Sequence, residues 1–279
     1  MSGKLLLECK DVYKSFDGKN DVLRGVNLKV YERDFVSILG ESGSGKSTLL
    51  GLLGGMDVAT KGQVVFEGVD LGTLKEKELA LLRRTKLGFV FQFFNLAPYL
   101  TVEENVLLPI FLDGKPIKKY EKTLEEMLSY LKISEYKSKM PGQLSGGEQQ
   151  RVAIARGLIY NPKIIFLDEP TGNLDSKNSE EIMALLRQIN QERSTTIIQV
   201  THSENNALYG NRIIRLSDGQ ITSESIVDRE ESLFDEAENA QNEITEIDAE
   251  IGFAEERKES VPTQQAEIFA EEKSNENNN

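Results

Sequence analysis

Alternating apolar and polar positions near the start of the chain predict two strands, at residues 5–16 and 22–31, with a turn at residues 17–20 between them. A third, shorter strand is predicted at residues 63–66, between two glycines. We expect these three segments to form an antiparallel sheet.

Four other apolar runs carry few charges and are rich in β-branched or aromatic residues: residues 35–39, 87–91, 164–167 and 195–200. Such runs are typical of strands buried on both faces, as in a parallel sheet covered by helices. The sequence therefore predicts a second sheet of parallel strands.

Two further segments have recognisable periodicity. Residues 101–160 are predicted to be rich in helix, because apolar side chains there lie at helical spacing: Leu124, Met127, Leu128 and Leu131. A final hairpin is predicted from residues 212–216 and 220–222, around a turn at residues 217–219.

The length and composition are those of an ordinary globular protein. The 279 residues are 39% hydrophobic and 28% charged, which allows one large α/β domain with a sizeable core. The longest apolar stretch, near residues 49–56, is far shorter than the roughly 18 residues of a membrane span. The single cysteine, Cys9, fits a reducing cytosol.

The negative charge is concentrated at the end of the chain. Residues 221–279 hold 18 of the 46 acidic residues and 4 of the 33 basic ones, so the other 220 residues, with 28 and 29, are nearly neutral. Neither part has the basic stripe expected of a nucleic-acid-binding protein, so no nucleic-acid partner is expected.

The tail at residues 225–279 is poor in aromatic residues and rich in Glu and Asn, a composition that favours disorder. It also contains apolar positions at heptad-like spacing: Leu233, Ala237, Ala240, Ile244, Ile247, Ile251 and Ala254. Two interpretations stay open, a solvated and partly helical tail or a docking helix.

A glycine-rich loop gives the strongest local signal for chemistry. It matches the pattern G-x-x-x-x-G-K-[ST] with Gly40, Glu41, Ser42, Gly43, Ser44, Gly45, Lys46 and Ser47. Its backbone N–H groups are expected to surround a phosphate, with Lys46 on the β- and γ-phosphates and the Ser47 hydroxyl on Mg²⁺. The loop lies between a predicted strand and a helix beginning at Thr48, whose N-terminus favours anions.

Two carboxylates, Asp168 and Glu169, end the predicted strand at residues 164–167. Ligands bind at such strand ends in open α/β sheets. Asp168 suits a water-mediated Mg²⁺ contact, and Glu169 suits orienting or deprotonating an attacking water. Before Pro170 this pair alone is more often a solvated turn, but a phosphate loop in the same chain favours the catalytic interpretation.

His202 is the single histidine and also follows a predicted buried strand. An isolated histidine is usually structural or merely exposed. Its position at the carboxyl end of a strand favours a contact with the γ-phosphate instead.

A second possible phosphate clamp lies at residues 144–151. Ser145, Gly146 and Gly147 present a hydroxyl and backbone donors at a predicted helix N-terminus, although a serine-capped helix start is the simpler interpretation. Two clamps about 100 residues apart suit a head-to-tail dimer, in which each ATP lies between the Lys46 loop of one chain and the Ser145 loop of the other.

The sequence of residues 144–151 resembles the signature of the ABC (ATP-binding cassette) proteins, and about residues 4–224 carry every motif of that family in order. The resemblance implies an α/β fold: a P-loop NTPase (RecA-like) core with an antiparallel β-subdomain and an α-helical subdomain at about residues 93–158. Residues 1–224 are then the ATP-binding domain, with ATP and Mg²⁺ as its cofactors.

The resemblance also assigns roles to residues that carry no strong signal alone. Gln92 resembles the glutamine that senses Mg²⁺ and faces the helical subdomain. Residues 173–175 resemble the segment called the D-loop, and His202 the switch histidine. Phe16 resembles the aromatic residue that stacks on adenine, with Tyr13 as a rival.

Within the family, residues 89–96 and 168–175 resemble the MacB/LolD/FtsE-type subgroup, whose members work with a permease of few membrane spans. Leu167, where alanine is frequent, and the acidic tail depart from that pattern.

The resemblance implies an ATPase that drives a permease on a separate chain, for export or extraction of a peptide, lipoprotein or drug. It would lie in the cytoplasm, on the inner face of the membrane. One alternative is an FtsE-like switch that signals to an envelope enzyme without moving a solute. Another, a soluble ABC ATPase of DNA maintenance or translation, is disfavoured because the interval between Lys46 and Ser145 is too short for a long coiled coil.

Overall fold

The structure, a computed structural model, describes residues 3–227, and the predicted features of the tail beyond them lie outside the described residues. The described strands are β1 (Leu5–Ser15), β2 (Asp21–Tyr31), β3 (Phe35–Leu39), β4 (Lys61–Phe66), β5 (Val69–Asp70), β6 (Leu87–Val90), β7 (Ile164–Asp168), β8 (Thr196–Thr201), β9 (Arg212–Ser217) and β10 (Gln220–Ile226). The α-helices are α1 (Lys46–Leu53), α2 (Glu76–Thr85), α3 (Val102–Leu112), α4 (Glu121–Tyr130), α5 (Gly146–Leu158), α6 (Ser176–Arg193) and α7 (Glu204–Ala207).

The larger sheet has the strand order β10-β9-β3-β8-β7-β6. The four runs predicted as buried strands are β3, β6, β7 and β8, and they pair in parallel. The predicted last hairpin, β9 with β10, is also present, and β9 extends the parallel sheet beside β3. That placement was not predicted, because it joins residues far apart in the sequence.

The smaller sheet, β2-β1-β4-β5, is antiparallel, as predicted for its first three strands. The turn between β1 and β2 is fixed by Asp17, whose carboxylate accepts hydrogen bonds from the backbone N–H groups of Lys19 and Asn20 at 2.8 Å. These bonds lower the pKa of Asp17. Strand β10 runs past the predicted domain boundary at residue 224 to Ile226.

The larger sheet has an apolar layer on each face, because successive side chains of a strand point to opposite sides. On β7, Ile164 and Phe166 pack with α1 and the smaller sheet. Ile165 and Leu167 pack instead with the helices α3, α4, α5 and α6. All four side chains are fully buried, which explains the unbroken apolar run in the sequence.

The predicted helical stretch forms α3, α4 and α5, and the four apolar residues of helical spacing are buried there. Helices α2, α6 and α7 were not predicted. In α6 the signal was present, because its buried residues recur at helical spacing: Ile182, Met183, Leu185, Leu186 and Ile189. Within residues 3–227 no helix is both long and apolar enough to cross a membrane.

Candidate active site

The glycine-rich loop connects β3 to α1 and lines a cleft of about 970 Å³. Gly45 and Gly40 show why the loop needs glycine. Gly45 has φ +102°, in the left-handed region, and a Cβ on Gly40 would lie 2.3 Å from the backbone oxygen of Leu216. The backbone conformation of the loop therefore depends on these two glycines.

All but one of the predicted loop residues line this cleft, as does Thr48, the next residue predicted to bind the nucleotide: Gly40, Glu41, Ser42, Gly43, Gly45, Lys46, Ser47 and Thr48. The exception is Ser44, whose buried side chain does not contribute to the lining and whose Oγ lies 2.7 Å from where a Cβ on Gly40 would be. Its backbone N–H is engaged with the oxygen of Glu41 at 3.2 Å.

Lys46 is the first residue of α1, and its Nζ crosses the loop to donate to the backbone oxygens of Gly40 and Glu41 at 2.7 and 2.9 Å. The next residue, Ser47, donates from Oγ to Asp168 Oδ1 at 3.0 Å. An ammonium group and a hydroxyl–carboxylate pair thus meet at one side of the cleft.

The two carboxylates at the end of β7 have different surroundings. Burial raises the pKa of Asp168, and the neighbouring Glu169 raises it further, while the hydrogen bond from Ser47 and the charge of Lys46 act in the opposite direction. Glu169 has φ +47°, a conformation that costs about 1–3 kcal/mol in a residue with a side chain. Its backbone N–H donates to the oxygen of Val200 at 3.1 Å.

His202 follows β8 directly, and its Nδ1 lies 3.1 Å from Glu169 Oε1. The imidazole is 69% exposed, whereas the Glu169 carboxylate is 16% exposed. Because β7 and β8 are adjacent parallel strands, their carboxyl ends bring these two side chains together at the cleft.

Gln92, just beyond β6, also lines the cleft. Its backbone oxygen accepts a hydrogen bond from Asn173 Nδ2 at 2.7 Å. A Cβ on Gly172 would lie 2.8 Å from Gln92 Nε2, so glycine permits this close approach. Gln92 is therefore in contact with the segment that follows Glu169.

Phe16 lies just after β1, lines the cleft and is 68% exposed. Lys14 Nζ sits 4.9 Å from the centre of its ring. Tyr13 does not belong to the lining and lies beside Gly25 and under Lys61. The geometry thus favours Phe16 over Tyr13 as the aromatic residue of this site.

Ser145 is the N-cap of α5: its Oγ accepts from the backbone N–H of Glu148 at 3.3 Å, and Glu148 accepts in return from the backbone N–H of Ser145. The helix-cap interpretation is therefore correct as far as the single chain goes. Ser145, Gly146 and Gly147 do not belong to the lining of the cleft. A Cβ on Gly147 would lie 2.6 Å from Asn178 Oδ1, so α6 packs tightly there.

Helix α5 is joined to the segment after Glu169 by Gln150. This fully buried side chain donates from Nε2 to the backbone oxygen of Pro170 at 2.6 Å. The second predicted clamp and the carboxylate pair are therefore mechanically linked, although the clamp stands apart from the cleft of its own chain.

Four residues of the lining were not predicted as site residues: Val22, Leu39, Glu204 and Arg215. Arg215 and Glu204 form a two-pronged ion pair with distances of 2.8 and 3.0 Å. Arg215 reaches the cleft because β9 pairs with β3, opposite Leu39. Only the strand order reveals this, so no local signal in the sequence marks Arg215.

The oxygen donors of the cleft fit a Mg²⁺ ion held jointly with phosphates. Mg²⁺ usually takes one or two carboxylates together with substrate oxygens, and three residues with side-chain oxygens, Ser47, Asp168 and Gln92, line one cleft. In the described part of the chain no cluster of three or more His, Cys, Asp or Glu side chains forms an all-protein metal site.

Comparison with known proteins gives concordant results. A model of the family described as ABC transporter matches residues 23–172. The bacitracin export ATP-binding protein BceA of Halalkalibacterium halodurans is 43% identical over 219 residues, which cover 77% of this chain and 87% of that protein. The lipoprotein-releasing system ATP-binding protein LolD of Aquifex aeolicus is 47% identical, over 78% of this chain and 97% of that protein.

A solved structure agrees in fold. It is the dimeric post-hydrolysis state of the ATP-binding cassette MJ0796, a protein of Methanocaldococcus jannaschii, bound to ADP and Pi. The TM-score is 0.73 at 43% sequence identity, covering 80% of this chain and 99% of that one. The predicted fold class is thereby confirmed.

Proposed function

This chain belongs to the ATP-binding subunits of the ABC transporters, and we propose that it hydrolyses Mg²⁺-ATP between two copies of itself to drive a permease on a separate chain. That it is an ATPase of the MacB/LolD-like subgroup follows from the family. One observation carries the proposal of a shared site: the clamp at Ser145 stands outside the cleft that contains Lys46.

In the proposed dimer, each triphosphate is held by the Lys46 loop of one chain and by Ser145, Gly146 and Gly147 of the second copy. The related MJ0796 cassette was solved as a dimer bound to the products of hydrolysis, which supports this arrangement. Helix α5 starts at Gly146, so its N-terminus would offer backbone donors to the γ-phosphate.

Each side chain of the cleft has a separate role in ATP binding or hydrolysis. Glu169, 3.1 Å from His202, orients or deprotonates the attacking water. His202 and Lys46 donate hydrogen bonds to the phosphoryl group as its negative charge is redistributed. Phe16 stacks on the adenine. Since each group acts from a fixed position, the catalytic effect is mainly electrostatic and geometric.

Ser47, Asp168 and Gln92 are the residues that would hold Mg²⁺. When bound with ATP, the ion would neutralise negative charge on the phosphates. A buried carboxylate with a raised pKa, as in Asp168, is energetically costly in its ionised form, and a cation at this position would remove that cost.

We place the permease contact near Gln92 and the helical subdomain. Large apolar side chains are exposed on residues 93–112, among them Phe93 at 73% and Tyr99 at 87%, and we infer that they contribute to the surface that the permease contacts. The chain would thus sit on the cytoplasmic face of a membrane through its partner. The near-neutral charge of the folded part gives no reason to expect nucleic acid.

The relatives named for bacitracin export and lipoprotein release favour transport of a peptide, lipoprotein or drug over a switch that moves no solute. The test is purification of the full chain from membranes, followed by reconstitution with the co-purifying membrane protein. We expect that protein to stimulate the ATPase activity of this chain. In vesicles that contain both proteins, we expect movement of a solute or lipid, and Glu169→Gln should abolish that movement. Full stimulation without any movement would favour the switch, and absence of a membrane partner would contradict the proposal.

A further inference from the structure

Four polar side chains, which we call the amide relay, link three elements near the carboxylate pair: Ser37, Thr171, Gln199 and Asn206. Gln199, fully buried in β8, donates from Nε2 to Ser37 Oγ of β3 and to the backbone oxygen of Asn206, both at 2.8 Å. Asn206, in α7, donates from Nδ2 to Thr171 Oγ1 at 2.8 Å. Ser37 completes the relay by donating to the backbone oxygen of Ala207 at 2.9 Å.

The relay joins the two segments that carry Glu169 and His202. Thr171 follows Glu169 and Pro170 directly, and Asn206 lies about one helical turn after His202. The Thr171 side chain is itself buried. The relay therefore adds a second tie to the one between the backbone N–H of Glu169 and the oxygen of Val200.

The turn at residues 169–172, which carries Glu169, needs hydrogen bonds of this kind to hold its conformation. Glu169 occupies the left-handed backbone region at φ +47°, and a conformation of this kind persists only when its surroundings hold it. The hydrogen bond from Asn206 to Thr171 anchors the far side of this turn, close to where the backbone of Gly172 turns back to donate to the oxygen of Glu169 at 3.0 Å.

The amide at Gln199 does not give the greatest stability that this position allows. Gln199 Oε1 is buried without a hydrogen-bond partner, and an unpaired buried oxygen is unfavourable for folding. A methionine of similar shape would pack at this position without that cost. The amide therefore contributes through its two donated bonds, of which one fixes Asn206.

We propose that Asn206 and Gln199 are positioning residues for ATP hydrolysis: Gln199 holds Asn206, and Asn206 holds the turn that sets Glu169 against His202. The inference rests on the roles proposed above for Glu169 and His202. Neither Asn206 nor Gln199 lines the cleft of the Lys46 loop, so their effect falls on turnover and not on ATP binding.

The test compares the basal ATPase activity of full-length variants. Asn206→Leu, Gln199→Met and Thr171→Val each break the relay with a side chain of similar size. We expect kcat to fall about tenfold or more, as for other displaced catalytic groups, with the KM for ATP unchanged. Thr171→Ser keeps the accepting hydroxyl and should restore most of the activity, and Asn205→Ala, at the exposed neighbouring position, should match the wild type.

Melting temperatures separate positioning from folding. Gln199→Met should melt at or above the wild-type temperature while its kcat is low, a combination that a purely structural role does not produce. Wild-type kcat in Asn206→Leu would overturn the proposal. Equal losses in Thr171→Ser and Thr171→Val, or a loss in Gln199→Met accompanied by a lower melting temperature, would do the same.

Glu169→Gln, measured alongside, separates the two levels of inference. If that variant turns over normally, the role proposed for Glu169 is wrong and the relay loses its purpose. If Glu169→Gln is inactive and Asn206→Leu is normal, the relay inference alone is overturned.

Discussion

Replacing Phe16 with alanine tests how the adenine is held. The ring is 68% exposed at the cleft, and an aromatic side chain buries about 150–250 Å² when fully covered, so about 100–170 Å² remains to be covered. Adenine stacked on one face covers about half of that area. At about 25 cal/mol per Å² this is worth about 1.3–2 kcal/mol, within the range of about 1–3 kcal/mol for base stacking on aromatic residues.

The loss of this stacking energy in Phe16→Ala should weaken ATP binding about 10- to 30-fold. Binding should not be abolished, because the phosphate contacts remain. The assay is equilibrium titration with a fluorescent ATP analogue in the presence of Mg²⁺, on full-length protein. Tyr13→Ala is the matched control, since Tyr13 lies beside Gly25 and not in the cleft. Weakened binding in Tyr13→Ala together with normal binding in Phe16→Ala would refute the assignment.

Three further predictions address the metal site, the thiol and the end of the domain. Asp168→Asn should raise the melting temperature of the nucleotide-free protein, because it removes a buried carboxylate whose pKa is raised. The same variant should lose Mg²⁺-dependent ATPase activity. A lower melting temperature would contradict burial as the cause of the raised pKa. Burial raises the pKa of Cys9 to about 12, so iodoacetamide at pH 8.5 should modify this thiol only after denaturation, as mass spectrometry would show. Truncation after Val227, which packs beside Leu39, should leave basal ATPase activity intact; loss of ATP binding would show that the domain boundary is misplaced.

The predictable parts of the site are those whose residues follow one another along the chain. The strand β3, the loop from Gly40 to Ser47 and the start of α1 follow one another along the chain, so their pattern encodes their geometry. The pair Asp168 and Glu169 was predictable for the same reason, since an apolar run ending in acids indicates a buried strand with its carboxyl end at a ligand site.

The unpredicted parts depend on strand order and on buried polar contacts. Arg215 enters the cleft only because β9 lies beside β3, and the sequence signals no more than a hairpin for β9. The apolar pattern predicts only a strand around Gln199, yet this side chain is the centre of the amide relay. Its two partners, Ser37 in β3 and Asn206 in α7, come from different elements, and no periodicity in a single segment brings them together.

The Ser145 segment shows how far a local motif can be interpreted from one chain. Its capping of α5 is visible within the chain, and its separation from the Lys46 cleft is equally plain. A role in phosphate binding at this position requires another molecule. Catalysis as proposed therefore depends on association of two copies.

Sedimentation velocity of the Glu169→Gln chain, with and without Mg²⁺-ATP, tests that dependence directly. We predict a monomer without nucleotide and a stable dimer with ATP, which a Ser145→Arg substitution in the same background would abolish. A Glu169→Gln chain that stays monomeric at saturating ATP, also with its membrane partner present, would contradict the shared site.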